Sequence, residues 1–320
     1  MGVNIRNLIK KATDQFGIET RDLEFLPENR YNKKMFPTTG QYDWFSGQVL
    51  YCLIRYIKPG RILEISTASG YATLFIAMAL KRNNQGKIDT FELDSKAAKA
   101  AIKLFKKYDV DTFVQSYIGD AQKISNAMPS DYTIYFLDSL HRKDFAHWFI
   151  DTHVMRSDRI DAIFHMHDIM PLHARVRRWN APPLEGDEFD EQPRRSRFDK
   201  IKDMVRMPLF QADQKIPIQI YPPEQFGQLQ TFNGNFTSES ILGTQLAALA
   251  APEDHVFLHD IADNYPQLTP RKYDHAAVGR TDSNNIPMEW NETWWCKVAA
   301  LKKAYRQLNE TQREKSRENV

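Results

Sequence analysis

From Trp44 to Ile57 the apolar residues Trp44, Phe45, Val49, Leu50, Leu53, Ile54 and Ile57 recur at three- and four-residue steps, which predicts a helix with one buried face. Lys58-Pro59-Gly60 ends it. Arg61 to Ile65 is then a short apolar run, followed by a turn of small residues and a helical stretch from Tyr71 to Lys81. The unit repeats. Lys87 to Glu92 reads as a strand, Ser95 to Tyr108 as a helix with Ala98, Ile102 and Phe105 turned inward, and Thr112 to Ile118 as the next strand. Tyr132 to Leu137 and Asp161 to Met166 supply two further buried strands. Alternation of this kind predicts an α/β fold, a Rossmann-like parallel sheet with helices on both faces.

The flanks read differently. Residues 1–40 form an N-terminal cap: Met1 to Ala12 reads as a surface helix without the apolar run or cleavage site of a secretory signal, and Pro27, Pro37 and Gly40 punctuate the remainder. The sheet domain is expected over 41–235. After Asp168 its periodicity breaks, and the insert 171–200, mixing arginines such as Arg175, Arg177 and Arg194 with acidic residues, reads as a lid. Ile216 to Tyr221 and Gly227 to Phe232 predict an antiparallel hairpin closing the sheet. Residues 236–320 read as a C-terminal helical extension containing a helix over Trp294 to Leu308 and a polar tail.

Composition narrows the partners. With a mean hydropathy of −0.56 and no run approaching 18 apolar residues, no membrane span is expected. Cys52 and Cys296 are the only cysteines, both in stretches read as helical and neither in a C-x-x-C pair, so neither a disulfide framework nor a zinc knot is expected and a reducing cytoplasm fits. A net charge of +2 gives no electrostatic reason to expect nucleic acid. A small-molecule partner is the better reading, with association into a homo-oligomer left open.

Ligands of an open α/β sheet bind beyond the C-terminal ends of its strands. The residues at those positions are Glu64, Glu92, Asp120, Asp138 and Asp168, all acidic. The first turn, Glu64-Ile65-Ser66-Thr67-Ala68-Ser69-Gly70-Tyr71, lets a ligand approach the backbone ahead of a helix but lacks the G-x-G-x-x-G fingerprint of a dinucleotide site, which disfavours a nucleotide-dependent oxidoreductase. Carboxylates there suit a ligand bearing an amine and ribose hydroxyls, all hydrogen-bond donors. The competing reading is that each acid caps the following helix.

Arg61 to Tyr71, R-I-L-E-I-S-T-A-S-G-Y, followed by A-T-L-F-I-A at 72–77 and G-K-I-D-T-F-E-L-D at 86–94, resembles the class I S-adenosylmethionine-dependent O-methyltransferases, and the resemblance runs from about Tyr42 to Ile169. Ser66 stands where that family's loop has its first glycine. The resemblance implies S-adenosylmethionine as cofactor, with Glu64, Ser66, Gly70 and Tyr71 around the methionyl end, Glu92 on the ribose hydroxyls and Asp120, within Gly119-Asp120-Ala121, beside the adenine; Asp138 closes the cofactor site.

Asp138-Ser139-Leu140-His141 resembles the D-G-x-H segment of a subgroup that includes macrocin-type sugar O-methyltransferases and cephalosporin-hydroxylase-like proteins. There the aspartate binds a divalent metal and the histidine acts as general base, so the resemblance gives His141 the catalytic role. A hydroxyl ionises far above pH 7, and a base of near-neutral pKa lowers the barrier to methylating it. The subgroup's second acidic pair corresponds to His167-Asp168, which makes Asp138, His167 and Asp168 the implied metal ligands. A histidine in place of a carboxylate admits manganese or iron as well as magnesium. The plainer reading has His165 and His167 alternating across a strand, one in the core and one at its end. The acceptor expected is a small hydroxylated molecule, a sugar or a secondary metabolite; the arginines of the insert offer guanidinium groups to an anionic acceptor, although a solvated mixed-charge loop is the plainer reading of them. The other reading is a non-catalytic S-adenosylmethionine-binding scaffold, on the ground of Ser66 and His167.

Overall fold

The computed structural model describes residues 4–23, 42, 44–139, 142–169, 175–177, 218–220, 235–258, 268 and 292–318. Five strands, β1 (Arg61–Ile65), β2 (Lys87–Glu92), β3 (Val114–Ile118), β4 (Ile134–Leu137) and β5 (Ile163–Ile169), pair in parallel in the order β3-β2-β1-β4-β5. Between them run α3 (Tyr71–Asn83), α4 (Ser95–Lys107), the single turn α5 (Ala121–Ile124) and α6 (Lys143–Phe149), which continues into a π-turn at Ile150–Val154. The order reverses between β1 and β4, so the crevice at their C-terminal ends is where a ligand is expected.

The sheet does not stop at β5. A three-residue strand β6 (Arg175–Arg177) pairs antiparallel with β7 (Ile218–Ile220) in a separate ribbon. The main sheet is instead completed by β9 (Glu292–Lys297), antiparallel beside β5, and by β8 (His255–Phe257) at the edge. Its seven strands taken alone therefore follow the order 3-2-1-4-5-7-6, with the seventh running against the rest. This corrects two expectations. Ile218–Ile220 pairs outside the main sheet, while 227–232 lies outside the described residues. Trp294, Trp295 and Cys296 lie in a strand, and the helix that follows, α8, starts at Val298 and runs to Glu318. The stretch read as a helical extension thus contributes strands as well as α7 (Asn235–Leu249) and α8.

Strand alternation divides the core in two. Ile62, Ile88, Phe136 and Trp295 pack on one face with α2 (Trp44–Ile57), α3 and α4. Leu63, Phe91, Leu137 and Trp294 pack on the other with α6, α7 and α8. The N-terminal helix α1 (Ile5–Phe16) is more than a surface helix: capped by Asn4, whose side chain accepts from the Arg6 and Asn7 amides, it buries Ile5, Ile9 and Ala12 in the first core. Among the described residues no helix is long and apolar enough to cross a membrane.

Candidate functional site

The first turn is held from below by β2. The Ser66 and Thr67 amides both donate to the Phe91 carbonyl, at 2.9 and 3.0 Å, and the Gly70 amide donates to the Thr67 carbonyl at 2.7 Å. Three of the five residues between β1 and α3 are left-handed: Ser66 at φ 78°, Ala68 at 45° and Gly70 at 82°. Gly70 has no alternative, since a Cβ there would lie 2.9 Å from the Phe105 ring and 3.0 Å from Ala101 Cβ. Ser66 and Ala68 pay the steric cost of that conformation, which explains why glycine suits the first of these positions.

Glu64 lies at the C-terminal end of β1, fully buried. Its Oε2 accepts from the hydroxyls of Thr73 on α3 and of Thr90, its register partner on β2, and Thr90 Oγ1 lies 2.6 Å from Thr67 Oγ1. Its Oε1 has no hydrogen-bond partner. Burial, opposed by the two hydroxyl bonds and reinforced by the charges of Asp138 and Glu92, pushes the carboxyl up to about 8. In the sequence, Thr90 and Thr73 show only as polar residues inside otherwise apolar elements, and Thr67 only as one of the small residues of the turn.

Glu92 ends β2 and bridges the turn to the next helix: Oε2 accepts from the Ala68 amide at 2.7 Å and Oε1 from the Asp94 amide at 2.8 Å. Each carboxylate oxygen can accept a second hydrogen bond, so room remains for a ribose diol. Asp120 behaves as the capping reading requires, accepting from the Gln122 amide at 3.0 Å as N-cap of α5 and lying 3.4 Å from the Lys123 ammonium. Tyr71 opens α3 beside Gly70.

At the other side of the reversal, Asp138 Oδ1 lies 3.4 Å from His167 Nδ1. His165 and His167 share one face of β5 and both are buried. That corrects the expectation that the two alternate across the strand, since residues two apart on a strand point to the same side. Tyr42 Oη is 2.8 Å from His165 Nε2, its ring centroid is 4.5 Å from that of His167, and Phe136 and Trp295 pack on His165. Asp168 falls at a β-bulge, where the register shifts between His167 and Ile169, although its side chain lies outside what is described. His141 and most of the 171–200 insert also lie outside the described residues, and of Arg175, Val176 and Arg177 only the backbone is described. Among the described residues no group of three or more His, Cys, Asp or Glu is placed to hold a metal.

Over residues 63–169 the chain matches the family described as a methyltransferase domain. The matched segment runs from β1 to β5 and so takes in the turn, the strand ends and the histidines described above. A caffeoyl-CoA O-methyltransferase of Stellaria longipes is 27% identical over 112 residues, covering 35% of this chain and 46% of the relative. The chain thus spans about half the length of that curated relative. Among solved structures, an S-adenosylhomocysteine-bound methyltransferase of Podospora anserina is 24% identical over 48% of this chain and 60% of its own, with a TM-score of 0.35. An O-methyltransferase of Bacillus cereus in complex with S-adenosylhomocysteine is 18% identical over 47% and 70%, with a TM-score of 0.37.

Proposed function

We propose that this protein transfers the methyl group of S-adenosylmethionine to a hydroxyl of a small molecule. The observation that carries the reading is the pair of carboxylates at the switch point: Glu64 under the glycine-ended turn with one buried oxygen unpartnered, and Glu92 holding that turn while keeping acceptor capacity at the strand end. An amine and a ribose diol are the groups such a pair suits. Bound there, the cofactor would supply an electrophilic methyl group. The chain's own part is to hold the ribose with Glu92 and the methionyl end along Ser66 to Tyr71, leaving Asp138 and His167 to face the acceptor.

For the base we retain His141, three residues beyond Asp138 in sequence. The subgroup of macrocin-type and cephalosporin-hydroxylase-like proteins, with a sugar-like acceptor, rests on the D-S-L-H and H-M-H-D segments alone. A divalent cation would draw on Asp138, His167 and Asp168. Two of these donors converge among the described residues, one short of a cage. Transfer of labelled methyl from S-adenosylmethionine to a panel of hydroxylated acceptors tests the reading. Binding of S-adenosylhomocysteine with no transfer to any acceptor would favour the scaffold.

A further inference from the structure

We propose that Glu64 is a neutral acid in the cofactor-free protein and gives its proton to solvent when the cationic methionyl end of the cofactor binds over it. This rests on the cofactor reading above and adds to it a coupling between binding and protonation. The geometry carries it. The side chain is fully buried, Oε2 takes both of its hydroxyl donors, and Oε1 is left without a partner. A buried carboxylate is normally satisfied on both oxygens or held by a cation.

What surrounds Glu64 is the opposite of a cation. From α3 it meets the Thr73 hydroxyl and from β2 the Thr90 hydroxyl, while the charged groups that weigh on it are Asp138, just past β4, and Glu92, at the end of β2. Neither of these carboxylates is hydrogen-bonded to it. Both disfavour a second negative charge, in the same direction as burial. The free protein accordingly keeps the proton at neutral pH.

The turn that begins two residues beyond Glu64, and that Thr67 and Thr90 link to its carboxyl through their hydroxyls, is the one expected to receive an ammonium. An opposite charge within about 4–6 Å brings a carboxyl's pKa down by about 1–3, enough to ionise this one near pH 7. In the step the carboxylic O–H bond breaks, the electron pair stays on oxygen, the proton leaves to water and the new charge is balanced by the ligand's cation. No redox partner is involved. Affinity should therefore rise with pH, by up to about tenfold per unit between the bound and free ionisations.

The test is calorimetric titration of the full chain at pH 7 in buffers of different ionisation enthalpy, using S-adenosylhomocysteine and 5′-methylthioadenosine, which shares the adenosine and thioether but has no amino-acid end. The expected result is release of about 0.4 to 0.9 proton with the first ligand and essentially none with the second. In Glu64→Gln, release should vanish and the affinity should lose its slope between pH 6 and 8. The comparison of the two ligands on the unmodified protein stands even if the variant fails to fold. Binding of S-adenosylhomocysteine without proton release, or equal release with both ligands, would overturn the proposal while leaving the cofactor reading intact. Failure of both ligands to bind would overturn the cofactor reading and the proposal with it.

Discussion

Glu92 does two jobs that a substitution can separate. Its carboxylate fixes the Ala68 and Asp94 amides, and in the proposed complex it also takes the ribose hydroxyls. Glu92→Ala should weaken S-adenosylhomocysteine binding by about 1.5–3 kcal/mol, the range for hydrogen bonds to a charged group, and should also lower stability because two amides lose their acceptor. Glu92→Gln should weaken binding with less effect on stability; equal losses in both, read by calorimetry and denaturant melts, would assign Glu92 to the fold alone. Ser66, left-handed at φ 78°, predicts that Ser66→Gly raises stability by up to about 1 kcal/mol through relief of strain, and a lower denaturation midpoint would contradict it. For His141→Ala the proposed base role predicts turnover down by roughly 10²- to 10⁴-fold with cofactor affinity nearly unchanged. The acidic strand ends were legible one by one, but their different uses were not. Glu64, Glu92 and Asp120 look alike in sequence, whereas burial, backbone latching and helix capping are set by which neighbours the sheet brings up.

At the scale of elements, the five parallel strands and the helices α2, α3 and α4 could be read because each strand is an apolar run bounded by a turn and each of these helices spans several 3.6-residue periods; α5 and α6, of four and seven residues, are too short to show that period. β9 could not. Thr293, Trp294, Trp295 and Cys296 are buried in succession on both faces, so the strand shows no alternation, and it passes from Lys297 to Val298 into α8 without a turn residue. Its position between β5 and β8 makes a strong prediction. A chain ending before Glu292 would bare the β5 edge and remove Trp294, Cys296, Leu301 and Tyr305 from the second core, and should be insoluble or lack a cooperative melt; a soluble, cooperatively melting truncation would show that β9 is dispensable. Asp89 is the other joint. Buried in β2, it accepts from Arg61 at 2.6 Å and from Tyr132 at 2.8 Å. The Arg61 side chain is 37% exposed, so part of that pairing is screened. Asp89→Ala should then cost about 2–3 kcal/mol rather than the larger loss of a fully buried pair, measured as a shift of the urea midpoint at constant slope.

For the molecule as a whole, two buried groups act on stability in opposite directions as the pH falls below neutrality. His153 is buried on the π-turn, 3.0 Å from the Ser125 hydroxyl, and burial depresses it to about 4. The unfolded chain takes up that proton first, so this contribution is complete above about pH 6.5 and is lost progressively as the pH falls toward 4. Glu64 acts with the other sign: raised to about 8 in the fold, it favours the native state most below about pH 4.5 and loses that contribution as the pH rises to 8. His153→Gln should lose less stability than the unmodified protein as the pH falls from about 6.5 to 4, and the same pH dependence in both proteins would show that His153 contributes none of it. The central claim is that the crevice at the reversal of strand order holds S-adenosylmethionine and not a dinucleotide. Calorimetric titration of the purified chain with S-adenosylhomocysteine and, separately, with NAD tests it most directly. The account predicts saturable one-site binding of S-adenosylhomocysteine that weakens about 10- to 100-fold in Glu92→Gln, with no binding of NAD. Absence of S-adenosylhomocysteine binding, or binding that the substitution leaves unchanged, would contradict it.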